Sequence, residues 1–371
     1  MAAEVGDFLG CPMNEIEDMK KNLRKKQSDQ PVLPSDLLST GSTLLNLACS
    51  GDHRGGFAKG KYHFLVGDSA SGKTWLSLTC LAEANINPEF KDYRFIYDNA
   101  EDGALMDITR FFGEGVKERM EPPEQDGEVP IYSETIEDFY YHMDDAVKDG
   151  RPFIYILDSM DALSSATEQD KFQEEKTASR SGKKTTGSFG DGKAKKNSSN
   201  LRKLMPALRK SKSILIIINQ TRDNLGFGFE KKSRSGGHAL RFYATLEIWS
   251  SIKSKMKRTV RGKEREIGIM CKVQVKKNRF TGRLRTVELP LYHSFGIDEV
   301  GSCIDYLVSE KHWTKKTTKI EAKDFDVTLV RDALVQFIQT ENLEKDLGDI
   351  VSEVWNSVEG ECSVNRISRY H

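Results

Sequence analysis

Net charge is the first thing this chain lacks. Its 56 lysines and arginines equal its 56 aspartates and glutamates, so no global field marks a polyanionic partner, and a nucleic-acid surface would have to arise from local segregation of charge. Paired cysteines are absent too. Cys11, Cys49, Cys80, Cys271, Cys303 and Cys362 lie far apart with no Cys-x-x-Cys spacing, which argues against a disulfide or zinc framework and predicts free thiols in a reducing compartment, without a structural metal. No apolar run approaches the length of a membrane span, and "MNEIEDMKKNLRKKQSD" has neither the apolar centre of a signal peptide nor a transit-peptide composition. The expectation is a soluble, cytoplasmic protein with no membrane partner.

What is present is alternation. "HFLV", "RFIYD", "FIYILD" and "SILIIIN" read as buried parallel strands separated by helical patterns, which predicts an α/β fold with a central, mostly parallel sheet flanked by helices. "ATLEIWSSIK", "IMCKVQVKKNRF" and "LRTVELPLY" follow without intervening helices and are expected to extend that sheet with antiparallel or mixed strands. Met13, Ile16, Met19 and Leu23 recur at three- and four-residue intervals, predicting a short amphipathic helix that docks on its own domain or on a neighbouring subunit. The parsing is therefore an arm over 1–33, a core over 34–297 and a mostly helical region over 298–371, where "LVRDALVQFIQ" is the clearest helix. Residues 166–200 are polar and rich in Ser, Gly and Lys, and they read as a long mobile insertion.

"GDSASGKT", Gly67 to Thr74, satisfies G-x-x-x-x-G-K-[ST] between a strand and a helix. In that context the backbone N–H groups of Gly67, Asp68, Ser69, Ala70, Ser71, Gly72, Lys73 and Thr74 can converge on phosphates at a helix N-terminus, with Trp75 next along the helix. Lys73 would reach the outer phosphates of ATP, and the Thr74 hydroxyl would ligate Mg2+. Asp158, at the end of "FIYILD", is the candidate carboxylate for the same metal. Asp161 lies beyond that strand end, where capping a following helix is its expected job. For orienting water, "RFIYDNAEDGA" offers Asp98 and Glu101, and Glu101 is preferred.

Taken together these segments resemble the RecA family, and more closely its phage-type (UvsX-like) strand-exchange recombinases. "LLSTGSTLLNLACSGDHRGGFAKGKYHFLVGDSASGKTWL", "FIYDNAEDGAL", "IYILDSMDAL", "SILIIINQTR" and "SGGHALRFYATLEIW" follow one another in that family's order from about Leu37 to about Leu307. The resemblance implies an ATP-hydrolysing helical homo-oligomer on single-stranded DNA that pairs with homologous duplex, with a single-strand-binding protein or loader as further partners. It implies that Glu101 is catalytic, that Gln220 senses the terminal phosphate, and that Lys277 and Arg279 reach the nucleotide of a neighbouring subunit. A ring helicase on the same fold and a non-motor ATP-gated regulator are the competing readings.

The chain departs from that family in its first DNA loop, expected over 164–200, where Lys193, Lys195 and Lys196 can meet phosphates. The second loop, expected over 221–238, would hold the strand. Arg222, Lys231, Lys232 and Arg234 supply charge, Phe227 and Phe229 supply rings that stack on bases, and Gly236 and Gly237 allow a close backbone approach.

Overall fold

The computed structural model describes residues 32–180, 192–223, 232–234, 237–364 and 366–367. All but the last two positions of the expected N-terminal arm lie outside these residues.

Ten strands form one sheet: β1 (Tyr62–Gly67), β2 (Arg94–Asp98), β3 (Met120–Glu121), β4 (Phe153–Leu157), β5 (Ile214–Asp223), β6 (Lys232–Arg234), β7 (Leu246–Val260), β8 (Lys263–Asn278), β9 (Thr286–Tyr292) and β10 (Gly296–Ile297). Their order is β10-β9-β8-β7-β1-β5-β4-β2-β3, with β6 paired to the end of β5. From β7 to β3 every neighbouring pair is parallel; β8, β9 and β10 are added antiparallel. The second group of strand-like segments thus extends the sheet, as their missing crossover helices require.

Every residue of β1 and β4 is buried, which is why these strands are unbroken apolar runs: both faces are covered. On one face Leu65, Phe95, Ile154, Ile156, Ile216 and Ile218 pack toward helices α1 (Thr43–Ser50) and α2 (Lys73–Ile86) and the C-terminal region. On the other, Tyr62, Phe64, Val66, Ile96, Tyr155 and Ile217 meet α3 (Ile136–Lys148), whose start is closed by a capping box between Thr135 and Asp138.

The expectation of a mobile insertion is corrected. Ala166–Arg180 is a helix, α4, and Gly192–Ser211 is another, α5; residues 181–191 lie outside the described part. The helices form because Ser165 and Glu168 exchange hydrogen bonds as a capping box, and because Leu201, Leu204 and Leu208 give α5 an apolar face on the sheet. Tyr140 adds a 2.9 Å hydrogen bond to the buried Asn197 side chain.

The described ends of the second expected loop are regular. Thr221, Arg222 and Asp223 pair antiparallel with Arg234, Ser233 and Lys232, so the segment is a hairpin whose tip, with Phe227, Phe229 and Lys231, lies outside the described residues, as does Gly236. For Arg222, Lys232, Arg234 and Gly237 only the backbone path is described. Gly237 opens helix α6 (Gly237–Tyr243), which buries Leu240 and leads to buried Ala244.

After β10, Asp298 caps α7 (Glu299–Ser309), and α8 (Arg331–Thr340) and α9 (Glu344–Glu361) follow. A three-stranded antiparallel sheet, β11 (Thr314–Lys316), β12 (Lys319–Ala322) and β13 (Val327–Val330), sits between α7 and α8, an addition the helical pattern of this region hid. Among the described residues no helix is long and apolar enough to cross a membrane.

Candidate nucleotide site

The site forms where β1 ends, between β5 and β7. Gly67 lies opposite Gln220 on one side and Ser250 on the other. A Cβ at Gly67 would stand 2.2 Å from the Ser250 carbonyl oxygen and 2.7 Å from Ser71 Oγ, so only glycine lets the turn leave the strand here. Ser71 Oγ donates to the Asp68 carbonyl at 2.8 Å, and Ser250 Oγ donates to the Ser71 carbonyl at 2.6 Å. Gly72 then takes φ 85°, a left-handed conformation, and α2 begins. The turn is braced from both sides, and the unpaired N–H groups of the first helical turn remain free to meet an anion.

The Lys73 ammonium curls over this turn, donating to the carbonyls of Gly67 at 3.0 Å and Asp68 at 2.6 Å. Burial lowers its hold on the proton, and the nearby Asp158 and Glu101 carboxylates oppose that loss. Thr74 Oγ1 donates to Asp158 Oδ2 at 2.7 Å, and Tyr97 OH donates to the same oxygen at 3.0 Å. Asp158 is 3% exposed; burial pushes its carboxyl above the usual carboxylate range, against the pull of those two hydroxyls. A hydroxyl and a carboxylate set side by side at a strand end are hard oxygen donors suited to Mg2+.

Glu101 completes the constellation. Its backbone N–H is held by the Asp158 carbonyl at 2.8 Å, its Oε2 accepts from Ser159 Oγ at 2.9 Å, and its Oε1 accepts from Gln220 Nε2 at 2.6 Å. Ser69, Ala70, Ser71, Gly72, Lys73, Thr74, Trp75, Glu101, Asp158 and Gln220 all line one cleft of about 510 Å³. Asp98, the competing carboxylate, is fully buried and accepts from Ser133 and Tyr155 instead, so it is not a lining group of that cleft.

Other expected residues sit elsewhere. Lys277 donates to the carbonyls of Arg241 and Phe242 at 2.6 and 2.9 Å, and Arg279 donates to Phe242 at 2.7 Å; both cap the end of α6 rather than facing this chain's own cleft. Lys193 ion-pairs with Glu168 at 2.9 Å and Lys196 with Glu137, because α5 lies beside both α4 and α3 and these charges are neutralised within the chain. Lys195 is exposed. Asp161 caps no helix; its carboxylate accepts the backbone N–H of Gln220.

Three contributors escaped the sequence reading. Ser159 holds Glu101, Tyr97 holds Asp158, and Thr221 donates to the Asp68 side chain. Thr221 and Asp161 both act on the junction between the phosphate turn and β5, a relationship set by strand order, which residue spacing does not show.

The mostly parallel sheet, with this glycine turn at the end of the inner strand β1 and helices on both faces, is an α/β fold. Residues 135–298 match the family model described as the RecA N-terminal domain. The chain is 29% identical over 306 residues to Protein RecA of Chloroherpeton thalassium, covering 79% of this chain and 74% of that one. It is 27% identical over 356 residues to Protein RecA of Clostridium acetobutylicum, covering 94% and 90%. A solved structure, described as the crystal structure of the RadB recombinase, overlays with a TM-score of 0.47 at 16% identity, covering 70% of this chain and 98% of that one. The sequence likenesses are thus to proteins named RecA, matched over most of this chain.

Proposed function

We propose that this chain is an ATP-dependent recombinase of the RecA family, of the phage type, which assembles as a helical homo-oligomer on single-stranded DNA and exchanges strands with homologous duplex in the cytoplasm. The observation that carries this reading is the position of Gln220. Its side chain donates to Glu101 inside the phosphate cleft, while its backbone continues into the hairpin that ends at Arg234. One strand end therefore touches both sites.

The cleft suits a magnesium nucleotide, since it brings the glycine turn, the Lys73 ammonium and the paired oxygens of Thr74 and Asp158 to one place. Bound ATP would supply the phosphoanhydride bond. The N–H groups of Gly67 to Thr74 would hold its phosphates, Lys73 would neutralise them, and Thr74 with Asp158 would hold Mg2+. Glu101 takes the proton of the attacking water. Lys277 and Arg279, on the surface at the end of α6, reach the nucleotide of the next subunit. Arg222, Lys231, Lys232 and Arg234 neutralise DNA phosphates, Phe227 and Phe229 stack on bases, and Gly236 and Gly237 let the backbone come close. Of Lys193, Lys195 and Lys196, Lys195 is the one left for DNA. A single-strand-binding protein or loader assists assembly.

The test is ATP hydrolysis with and without single-stranded DNA, alongside electron microscopy with a slowly hydrolysed analogue. DNA-stimulated turnover and open helical filaments are expected, and Lys73→Ala should lower turnover by roughly a hundredfold or more. Closed rings favour a helicase motor; nucleotide binding without salt-dependent DNA affinity favours a regulator.

A further inference from the structure

A buried hydrogen-bonded chain runs from the surface to the strand end that leads into the Glu101 loop. Asp98, the last residue of β2, accepts the backbone N–H of Ser133 at 2.9 Å, Ser133 Oγ at 2.6 Å and Tyr155 OH at 2.7 Å. Ser133 Oγ also lies 2.9 Å from His142 Nδ1, and His142 Nε2 lies 3.2 Å from Glu124 Oε2. The His142 side chain is 7% exposed and that of Glu124 is 59% exposed, so the chain has one wet end. Glu124 faces the ring from the outer strand Glu124–Asp126; Asp98 from β2 and Tyr155 from β4 face it through Ser133, and Tyr132 adjoins Ser133.

Proton counting decides which bonds coexist. A serine hydroxyl has one proton, and an ionised carboxylate only accepts. With the Ser133 proton on the short bond to Asp98, Oγ offers His142 only lone pairs, so Nδ1 must carry a proton; Nε2 faces a carboxylate and must carry one as well. With Asp98 ionised, the whole chain is satisfied only by the imidazolium. In a neutral ring one nitrogen is bare. Either Nε2 then confronts Glu124 with its lone pair, or Ser133 turns its proton from Asp98 to Nδ1 and takes one of three donors from a buried carboxylate.

We propose that His142 and Ser133 are positioning residues of the hydrolytic site, the charge on His142 determining whether Asp98 keeps its full anchor. The path onward is short. The Asp98 carbonyl accepts the N–H of Asp158 at 2.9 Å, and the Asp158 carbonyl accepts the N–H of Glu101 at 2.8 Å. This inference rests on the ATP-hydrolysis reading for its consequence, while the proton relay itself does not depend on it.

The experiment combines nitrogen NMR of the histidine rings with Mg-ATP turnover across pH, for wild type, His142→Gln, Ser133→Ala and Glu124→Gln. In wild type the ring should pass from doubly protonated to neutral as pH rises, and turnover should fall by roughly fivefold over the same interval, the scale of one net hydrogen bond. Titration of the nucleotide is common to all four proteins, so the difference from His142→Gln, which should lack this limb, isolates the ring. Ser133→Ala should leave the ring titrating but turnover no longer following it, which a merely structural role does not produce. Glu124→Gln, at the exposed end, should keep the fold and move the limb to lower pH, because a neutral amide no longer favours the charged ring. A ring that stays neutral throughout, or a Ser133→Ala profile identical to wild type, overturns the proposal. If no ATP is hydrolysed by any protein, the functional reading fails, and the ring titration still reports whether the relay exists.

Discussion

At the scale of single residues, the site depends on atoms that are absent as much as on those present. Gly67→Ala puts a methyl group 2.2 Å from the Ser250 carbonyl oxygen, and since that oxygen belongs to a strand packed beside β1, it has little room to yield. A loss of about 1–3 kcal/mol is expected by chemical denaturation; an unchanged midpoint would mean that β1 and β7 can slide apart. Asp158 shows the opposite economy. Its carboxylate is buried beside Thr74 and Tyr97, and desolvation works against its charge. Asp158→Asn should stabilise the free protein by about 1 kcal/mol while weakening magnesium-dependent nucleotide binding. Denaturation of both proteins without nucleotide checks the first half, and a less stable variant would show that the two hydroxyls and Lys73 more than offset the burial.

At the scale of elements, α9 is tied to the sheet by charge. Glu359, 6% exposed on α9, accepts from Arg285 Nη2 at 2.7 Å, with Arg283 Nη1 at 3.2 Å. The hydrogen bond from Arg285 holds its carboxyl below the usual range. A carboxylate with a lowered folded-state value contributes stability above its unfolded titration, and that contribution is lost as pH falls through the folded one. Glu359→Gln should therefore cost about 1–2 kcal/mol near neutrality and progressively less as the solution is acidified toward pH ~3. Equal stability at all pH values would show the pair to be inert. The strands that frame the site were legible because burial on both faces leaves unbroken apolar runs, and the phosphate turn because its glycines are forced by contact and by φ. Helix α4 was missed although Ser165 and Glu168 spell its start, since a polar composition masked a two-residue signal. Glu101 and Gln220 stand 119 residues apart; strand order brings them together, and only resemblance suggested it beforehand.

At the scale of the molecule, the candidate nucleotide cleft and the hairpin proposed to hold DNA share a strand. Gln220→Ala should leave nucleotide affinity nearly intact, because Lys73, Thr74 and Asp158 remain, yet it should reduce the gain in single-stranded DNA affinity that a slowly hydrolysed ATP analogue provides. Arg222→Ala should instead weaken DNA binding with or without nucleotide and flatten the log-log salt slope by about 0.7 for one lost phosphate contact. Affinities over a salt series separate the two behaviours, and a full nucleotide-dependent gain in Gln220→Ala would place the coupling elsewhere. The paired strands β7 and β8 bear on the same architecture. Their inner halves lie in the sheet, but from Ile252 to Glu266 the residues are mostly exposed while the ladder continues to Val260 and Lys263. A two-stranded ribbon with neither face covered is marginal by itself. It is therefore a limb that can bend or open locally on its own clock, giving the chain reach without loosening the strands that hold the glycine turn.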